Sequence, residues 1–169
     1  MRLFFALWPD DAVRAELASV AASIAARAQG RVVPAAKLHL TLSFLGEVAE
    51  ERMTKAIDAA TSTHGMRFQL AIDQVGSFRG ARVAWAGLSA IPSALLELQA
   101  SLDGELRSRD FVLDERPFAA HATLARKIAT ALPRESIGPI AWSVRDFVLV
   151  RSETGRGAYA VLERWNLGK

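Results

Sequence analysis

The sequence predicts an α+β fold of two lobes built mainly from antiparallel sheets, and three observations carry that prediction. The order of elements nearly repeats: strand, helix, His-x-Thr strand and a later strand run from residue 2 to about 76, and again from 82 to about 150. Within that repeat, His39-Leu40-Thr41-Leu42 returns 82 residues later as His121-Ala122-Thr123-Leu124. No Gly/Ser-rich linker divides the halves, so residues 1–169 read as one two-lobed domain. Two long copies are too few for a solenoid.

The elements follow in order. Residues 2–8 make a first strand, and the apolar start is too short for a signal-peptide core or a membrane span. Pro9-Asp10-Asp11 signals a helix start, with negative charge where the helix dipole favours it. The helix runs to about Ala28 on Val13, Leu17, Val20 and Ile24, and Gly30 stops it. A strand follows from about Leu38 to Leu45, then a helix over 49–62 with Met53 and Ile57 one turn apart. Phe68, Leu70 and Ile72 alternate in a strand reaching Val75, the turn Gly76–Gly80 follows, and Arg82 to Leu88 is extended. Pro92 opens a third helix on Leu95, Leu98 and Leu102. The second His-x-Thr strand spans about Phe118 to Ile128. Residues 130–139, with Pro133, Gly138 and Pro139, read as a loop before strands at 143–150 and 158–165.

Composition narrows the chemistry. At 51% hydrophobic residues the chain is not disordered, and its length supports a sizeable core. The absence of cysteine excludes disulfides, thiolate metal sites and cysteine nucleophiles, and suits a cytoplasmic protein. Net charge is only +3, but arginine supplies 17 of 21 basic residues, and its guanidinium fork matches phosphate oxygens.

In a strand, residues i and i+2 share a face. His39 and Thr41 therefore point one way, as do His121 and Thr123, while Leu40, Leu42, Ala122 and Leu124 turn towards a core. These motifs use two of the three histidines; the third, His64, sits in a Thr-His-Gly turn and reads as a solvated loop residue. Two imidazoles facing one substrate divide acid and base work between them. The hydroxyls beside them can donate to phosphate oxygens as charge builds up. No Asp, Glu and His cluster has metal-ligand spacing, so the expectation is displacement at phosphorus with no metal and no cofactor.

The chain resembles the two-histidine phosphoesterase superfamily, and within it the RNA 2′,3′-cyclic phosphodiesterases, historically called 2′-5′ RNA ligases. The resemblance rests on Arg2–Ala6, on Leu38–Gly46 and on Arg82-Val83-Ala84-Trp85. It continues through Arg116-Pro117-Phe118, His121–Arg126, and the ending Ser152, Gly157, Tyr159, Leu162 and Trp165. It implies a bilobal fold with a cleft between two antiparallel sheets and helices outside. The implied reaction opens a 2′,3′-cyclic phosphate at an RNA end, tRNA fragments among them, to a 2′-phosphate; the reverse-type reaction joins that end to a 5′-hydroxyl.

By the same resemblance His39 is the general acid, His121 the general base, and Thr41 and Thr123 hold the non-bridging oxygens. Arg126 is implied as a further phosphate contact, but strict alternation puts it on the face opposite His121. It reaches the site only if the strand bulges or ends near Ala125. Arg79, Arg151 and Arg156 in turns are candidates to follow an RNA backbone. Phe78, Phe118 and Tyr159 are candidates to stack on a base, with core packing favoured for the last two. The alternatives are a phosphodiesterase for a small nucleotide such as ADP-ribose 1″,2″-cyclic phosphate, and a non-catalytic RNA-binding module. The expected state is a monomer with no membrane association.

Overall fold

The structure, a computed structural model, describes residues 1–153, 155 and 157–169; Arg156, one of the turn arginines, lies outside them. Three helices and nine strands alternate in it. The chain runs through β1 (Arg2–Leu7), α1 (Asp11–Ala28), β2 (Arg31–Val32), β3 (Leu40–Glu47), α2 (Met53–Ser62) and β4 (Phe68–Phe78). It continues through β5 (Val83–Gly87), α3 (Ser93–Arg107), β6 (His121–Arg126), β7 (Glu135–Val144), β8 (Asp146–Glu153) and β9 (Ala158–Asn166).

The two expected sheets meet edge to edge. The hydrogen-bonded path is β7-β4-β5-β6-β3-β1-β8-β9, with β2 on β6, and each pairing between these strands is antiparallel. At its middle, β3 and β6 are joined by one residue pair, Leu40 and Ala122. The first lobe is therefore β3-β1-β8-β9 and the second is β6-β5-β4-β7. Each is completed from the other half of the sequence: β8 pairs with β1, and β4 pairs with β5. Two of the helices, α1 and α3, are exchanged as well. Helix α1 packs on β6, β5 and β7 of the second lobe, whereas α3 packs on β3 and α2 on β9 of the first.

The main core lies between the sheet and these helices. Leu3, Phe5 and Leu7 of β1 meet Leu40 and Leu42 of β3 and Leu124 of β6 there, against Leu17 and Ala21 of α1 and Leu95, Leu98 and Leu102 of α3. Alternation then sends Phe4 and Ala6 to the opposite face, where they join Val148, Val150, Trp8 and Tyr159 in a smaller cluster.

Two local expectations change. Helix α1 ends on Gln29, which takes the left-handed conformation (φ 52°), one residue before Gly30. Gly30 serves close approach instead, since a Cβ there would lie 2.6 Å from Ile128. Residues 135–139 are strand rather than loop: β7 runs from Glu135 to Val144, and Ser143 and Val144 belong to it rather than to β8. The edge position explains the tolerance of Pro139. Among the described residues β7 pairs with β4 alone, and its register slips between Ile72/Ile140 and Gln74/Ser136, so the proline sits in a bulge.

Candidate active site

The β3–β6 junction sets out the four motif side chains. With Leu40 opposite Ala122, the register puts Thr41 opposite His121 and His39 opposite Thr123. All four then share the face away from the helices, with the histidines on one diagonal and the threonines on the other. Diagonal neighbours across antiparallel strands stand roughly 7–8 Å apart, enough for one phosphate between two imidazoles.

Both histidines are held by the same device. His39 Nδ1 lies 2.6 Å from the Lys37 carbonyl, and His121 Nδ1 lies 2.7 Å from the Ala119 carbonyl. A carbonyl only accepts, so each Nδ1 carries its proton and donates, and each Nε2 is left for chemistry. His39 Nε2 is 3.0 Å from Thr41 Oγ1, and in the neutral imidazole it accepts from that hydroxyl.

The strands also share a bulge. Phe5 pairs with Ser43 and Ala6 with Thr41, leaving Leu42 as the extra residue; Ala84 pairs with Ala125 and Trp85 with Thr123, leaving Leu124. Each bulge shifts the alternation by one, so Leu42-Ser43 and Leu124-Ala125 are both consecutively buried. That shift returns Arg126 to the face of His121 and Thr123. Its positive charge helps hold both imidazoles below their ordinary pKa. Phe44 occupies the corresponding place on β3, 45% exposed, with the Arg2 guanidinium 5.1 Å from its ring centre.

The lobes differ in what surrounds each imidazole. Continuing the pairing of Leu7 with Leu40 sets Trp8 beside His39, whereas Gly87 is the partner of His121. His39 is accordingly walled in. Phe4 lies 4.8 Å away, Trp8 is stacked at 5.8 Å and Tyr159 meets it edge-on at 5.6 Å. This burial pushes His39 down to about 4, against the Lys37 hydrogen bond that raises it. His121 is also lowered, first by burial and then by Arg126, while the Ala119 hydrogen bond works the other way. Its aromatic neighbour is Phe78, edge-on at 5.2 Å.

Three residues near the site were not singled out from the sequence. Arg14 of α1 donates to the Ala35, Leu38 and Pro9 carbonyls, the last two at 3.3 and 3.2 Å, and lies over Trp8 at 5.2 Å. It thus fixes the turn that presents His39 as well as the ring stacked on it. Trp8 was legible from alternation with Phe4 and Ala6; Arg14 had no sequence signal. Trp85 lies beside Thr123, 7% exposed, and its indole N–H has no partner among the described residues. Gly76 and Gly87 make room for its ring, since a Cβ at either would come within 2.6 or 3.0 Å of it.

Other expected residues sort clearly. Phe118 packs against the main core, but Tyr159 joins the small cluster beside His39. Arg151 is paired with Glu153 at 3.1 Å, and His64 is an exposed residue after α2. Among the described residues no helix is long and apolar enough to cross a membrane, and no group of three or more His, Asp or Glu side chains is arranged to hold a metal ion.

Comparison with known proteins adds an independent line. The model of the LigT-like phosphoesterase family matches residues 7–85. The RNA 2′,3′-cyclic phosphodiesterase of Escherichia coli is 34% identical, over 98% of this chain and 96% of its own. That of Thermus thermophilus is 33% identical, over 99% of this chain and 90% of its own. Among solved structures, E. coli LigT complexed with 3′-AMP superposes with a TM-score of 0.91 at 32% identity, covering 99% of this chain and 98% of that one. The same protein has been crystallised with phosphate, and that structure matches with a TM-score of 0.84 at 31% identity and the same coverage.

Proposed function

The chain belongs to the LigT-like phosphoesterase family, and we propose that it is an RNA 2′,3′-cyclic phosphodiesterase acting through His39, His121, Thr41, Thr123 and Arg126. The single observation that carries the site assignment is the register at Leu40 and Ala122, which supports one phosphate held among two imidazoles and two hydroxyls. The names of its relatives, and the 3′-AMP and phosphate complexes of E. coli LigT, support an RNA-end phosphate as the substrate.

In the reaction proposed, a base imidazole takes a proton from water through Nε2 as the water oxygen attacks phosphorus. The bond from phosphorus to the 3′ oxygen breaks, and the other imidazole supplies the proton that leaves a 3′-hydroxyl and a 2′-phosphate. Thr41, Thr123 and Arg126 donate to the non-bridging oxygens as their charge rises. A 5′-hydroxyl in place of water gives the 2′-5′ linkage, driven by release of strain in the cyclic phosphate.

The resemblance gives His39 the acid's part. The burial difference favours the reverse reading for the free chain: a proton taken up by the pair settles first on the less enclosed His121. A bound phosphodiester anion raises both imidazoles, so the two readings separate in the pH dependence of the reaction. We also read residues 1–169 as one two-lobed unit, which the exchange of strands and helices supports.

The test is an oligonucleotide ending in a 2′,3′-cyclic phosphate, incubated in EDTA. The expected product is the 2′-phosphate, with opening lost in His39→Ala and in His121→Ala. Undiminished opening in both variants ends this reading. Faster opening of ADP-ribose 1″,2″-cyclic phosphate than of RNA redirects it to a small nucleotide. Binding of RNA with no product at any pH makes the chain a binding module.

A further inference from the structure

The surfaces on either side of the two histidines are not equivalent in charge. Around the second lobe, Arg31, Arg79, Arg126, Lys127 and Arg134 are exposed and make none of the ion pairs formed among the described residues. They are set close by the fold. Phe78, Val83, Arg126 and Arg31 form one row across β4, β5, β6 and β2, and Arg79 follows Phe78 directly. The Arg134 guanidinium lies over the Trp85 ring at 5.5 Å, and Trp85 is the cross-strand partner of Thr123.

On β8 and β9 of the first lobe two arginines are instead neutralised. Arg151 is paired with Glu153, and Arg164 with Asp146 at 2.7 Å. Its rings around His39 (Phe4, Trp8 and Tyr159) are packed on that imidazole, and Lys37 lies over Tyr159. Among the described residues its one exposed ring, Phe44, has a single guanidinium, that of Arg2, over it at 5.1 Å.

Phe78 is different. It is 39% exposed, stands edge-on to His121 at 5.2 Å and touches Trp85 at 5.7 Å. An exposed ring on a face that also carries guanidinium groups outside any ion pair is the combination that single-stranded nucleic acid uses, with bases on the ring and phosphates on the cations.

We propose that the polynucleotide leading to the cyclic end crosses the second lobe, with Phe78 as platform for a base and Arg79 and Arg134 on the backbone. This rests on the RNA-end reading of the site and adds a direction to it: the strand leaves the catalytic pair past His121, not past His39. It also makes length matter, because a mononucleotide reaches the motif side chains without reaching Arg79 or Arg134.

The test compares kcat/KM for a 2′,3′-cyclic mononucleotide with that for a cyclic-ended decanucleotide. The preference for the longer substrate is expected to fall at least fivefold in Phe78→Ala, to persist in Phe78→Tyr, and to fall in the Arg79→Ala/Arg134→Ala double variant. Loss of two phosphate contacts should flatten the salt dependence of binding, log K against log salt, by about 1.4. Binding of a 3′-hydroxyl-ended oligonucleotide, which cannot react, reads the surface apart from the chemistry. Binding that weakens in the double variant supports the path even if no opening occurs, and in that case the catalytic reading alone fails. Equal binding and an unchanged preference in the double variant overturn the path. So does a preference lost in Arg151→Ala/Arg164→Ala instead.

Discussion

Arg126 and Phe44 stand at equivalent positions, each five residues beyond a motif histidine and each just past a bulge that turns it onto the face of its histidine. The two strands are thus alike in backbone and in burial and differ in what they offer at that point. One presents a guanidinium and the other a phenyl ring. A pair of imidazoles related by a pseudo-twofold cannot distinguish the two ends of a substrate by itself, and this substitution of charge for ring does so.

Removing the Arg126 charge should therefore act on the imidazoles as well as on the phosphate. In Arg126→Ala, both histidines are expected to titrate higher, because a neighbouring positive charge no longer opposes their protonation. kcat/KM should fall by about one to two orders of magnitude. Imidazole titration followed by NMR, alongside turnover of a cyclic-ended substrate, checks both. Imidazoles that do not move place Arg126 out of their reach.

His39 gives the fold a sign in pH. A histidine kept neutral in the folded chain, but free to charge in the unfolded one, favours unfolding as protons become available. As pH falls from the unfolded value near 6.5 towards about 4, the unfolded state binds the extra proton and stability drops. The loss is on the order of 3 kcal/mol for this group. Urea unfolding at pH 7 and pH 4.5 should show it in the parent and show much less of it in His39→Gln.

Arg14 is expected to act on His39 through position. Arg14→Ala leaves three carbonyls without their shared donor and Trp8 without its cation, at a cost of about 1–3 kcal/mol. The fall in kcat should exceed any rise in KM, with Arg14→Lys restoring little because an ammonium cannot span the three acceptors. Thermal unfolding and steady-state kinetics together separate a loosened site from a merely weakened fold.

Gly76 and Gly87 test the seat of Trp85. A methyl group at Gly76 would stand 2.6 Å from the indole, so Gly76→Ala should lift the ring from the sheet and destabilise the fold by about 1–3 kcal/mol. Trp85→Leu in the same chain should relieve much of that cost. A double-mutant cycle showing no coupling would place the strain elsewhere.

Much of this was legible in the chain itself. Period-two patterns placed most of the strands, and the repeated His-x-Thr located the site, because alternation is a property of each strand alone. The bulge at Leu124 marks the limit. Arg126 read as facing away, and only two buried residues in a row, Leu124 and Ala125, reveal the change of phase. Both fit an apolar run equally well in sequence. The strand at Glu135–Ile140 was hidden by Gly138 and Pro139, which an edge strand tolerates and a central one does not. Arg14 was illegible for another reason: its acceptors are backbone carbonyls, which every residue possesses.

The exchange of strands and helices between the lobes bears on how such a chain can be divided. A cut near residue 80 yields two fragments, each holding a motif histidine: the first lacks α3 and the strands β8 and β9 of its own sheet, and the second lacks α1 and the strand β4 of its own. Neither piece closes a core by itself, yet each carries what the other lacks. The halves are thus suited to reassemble from separate chains, with recovery of turnover reporting their union.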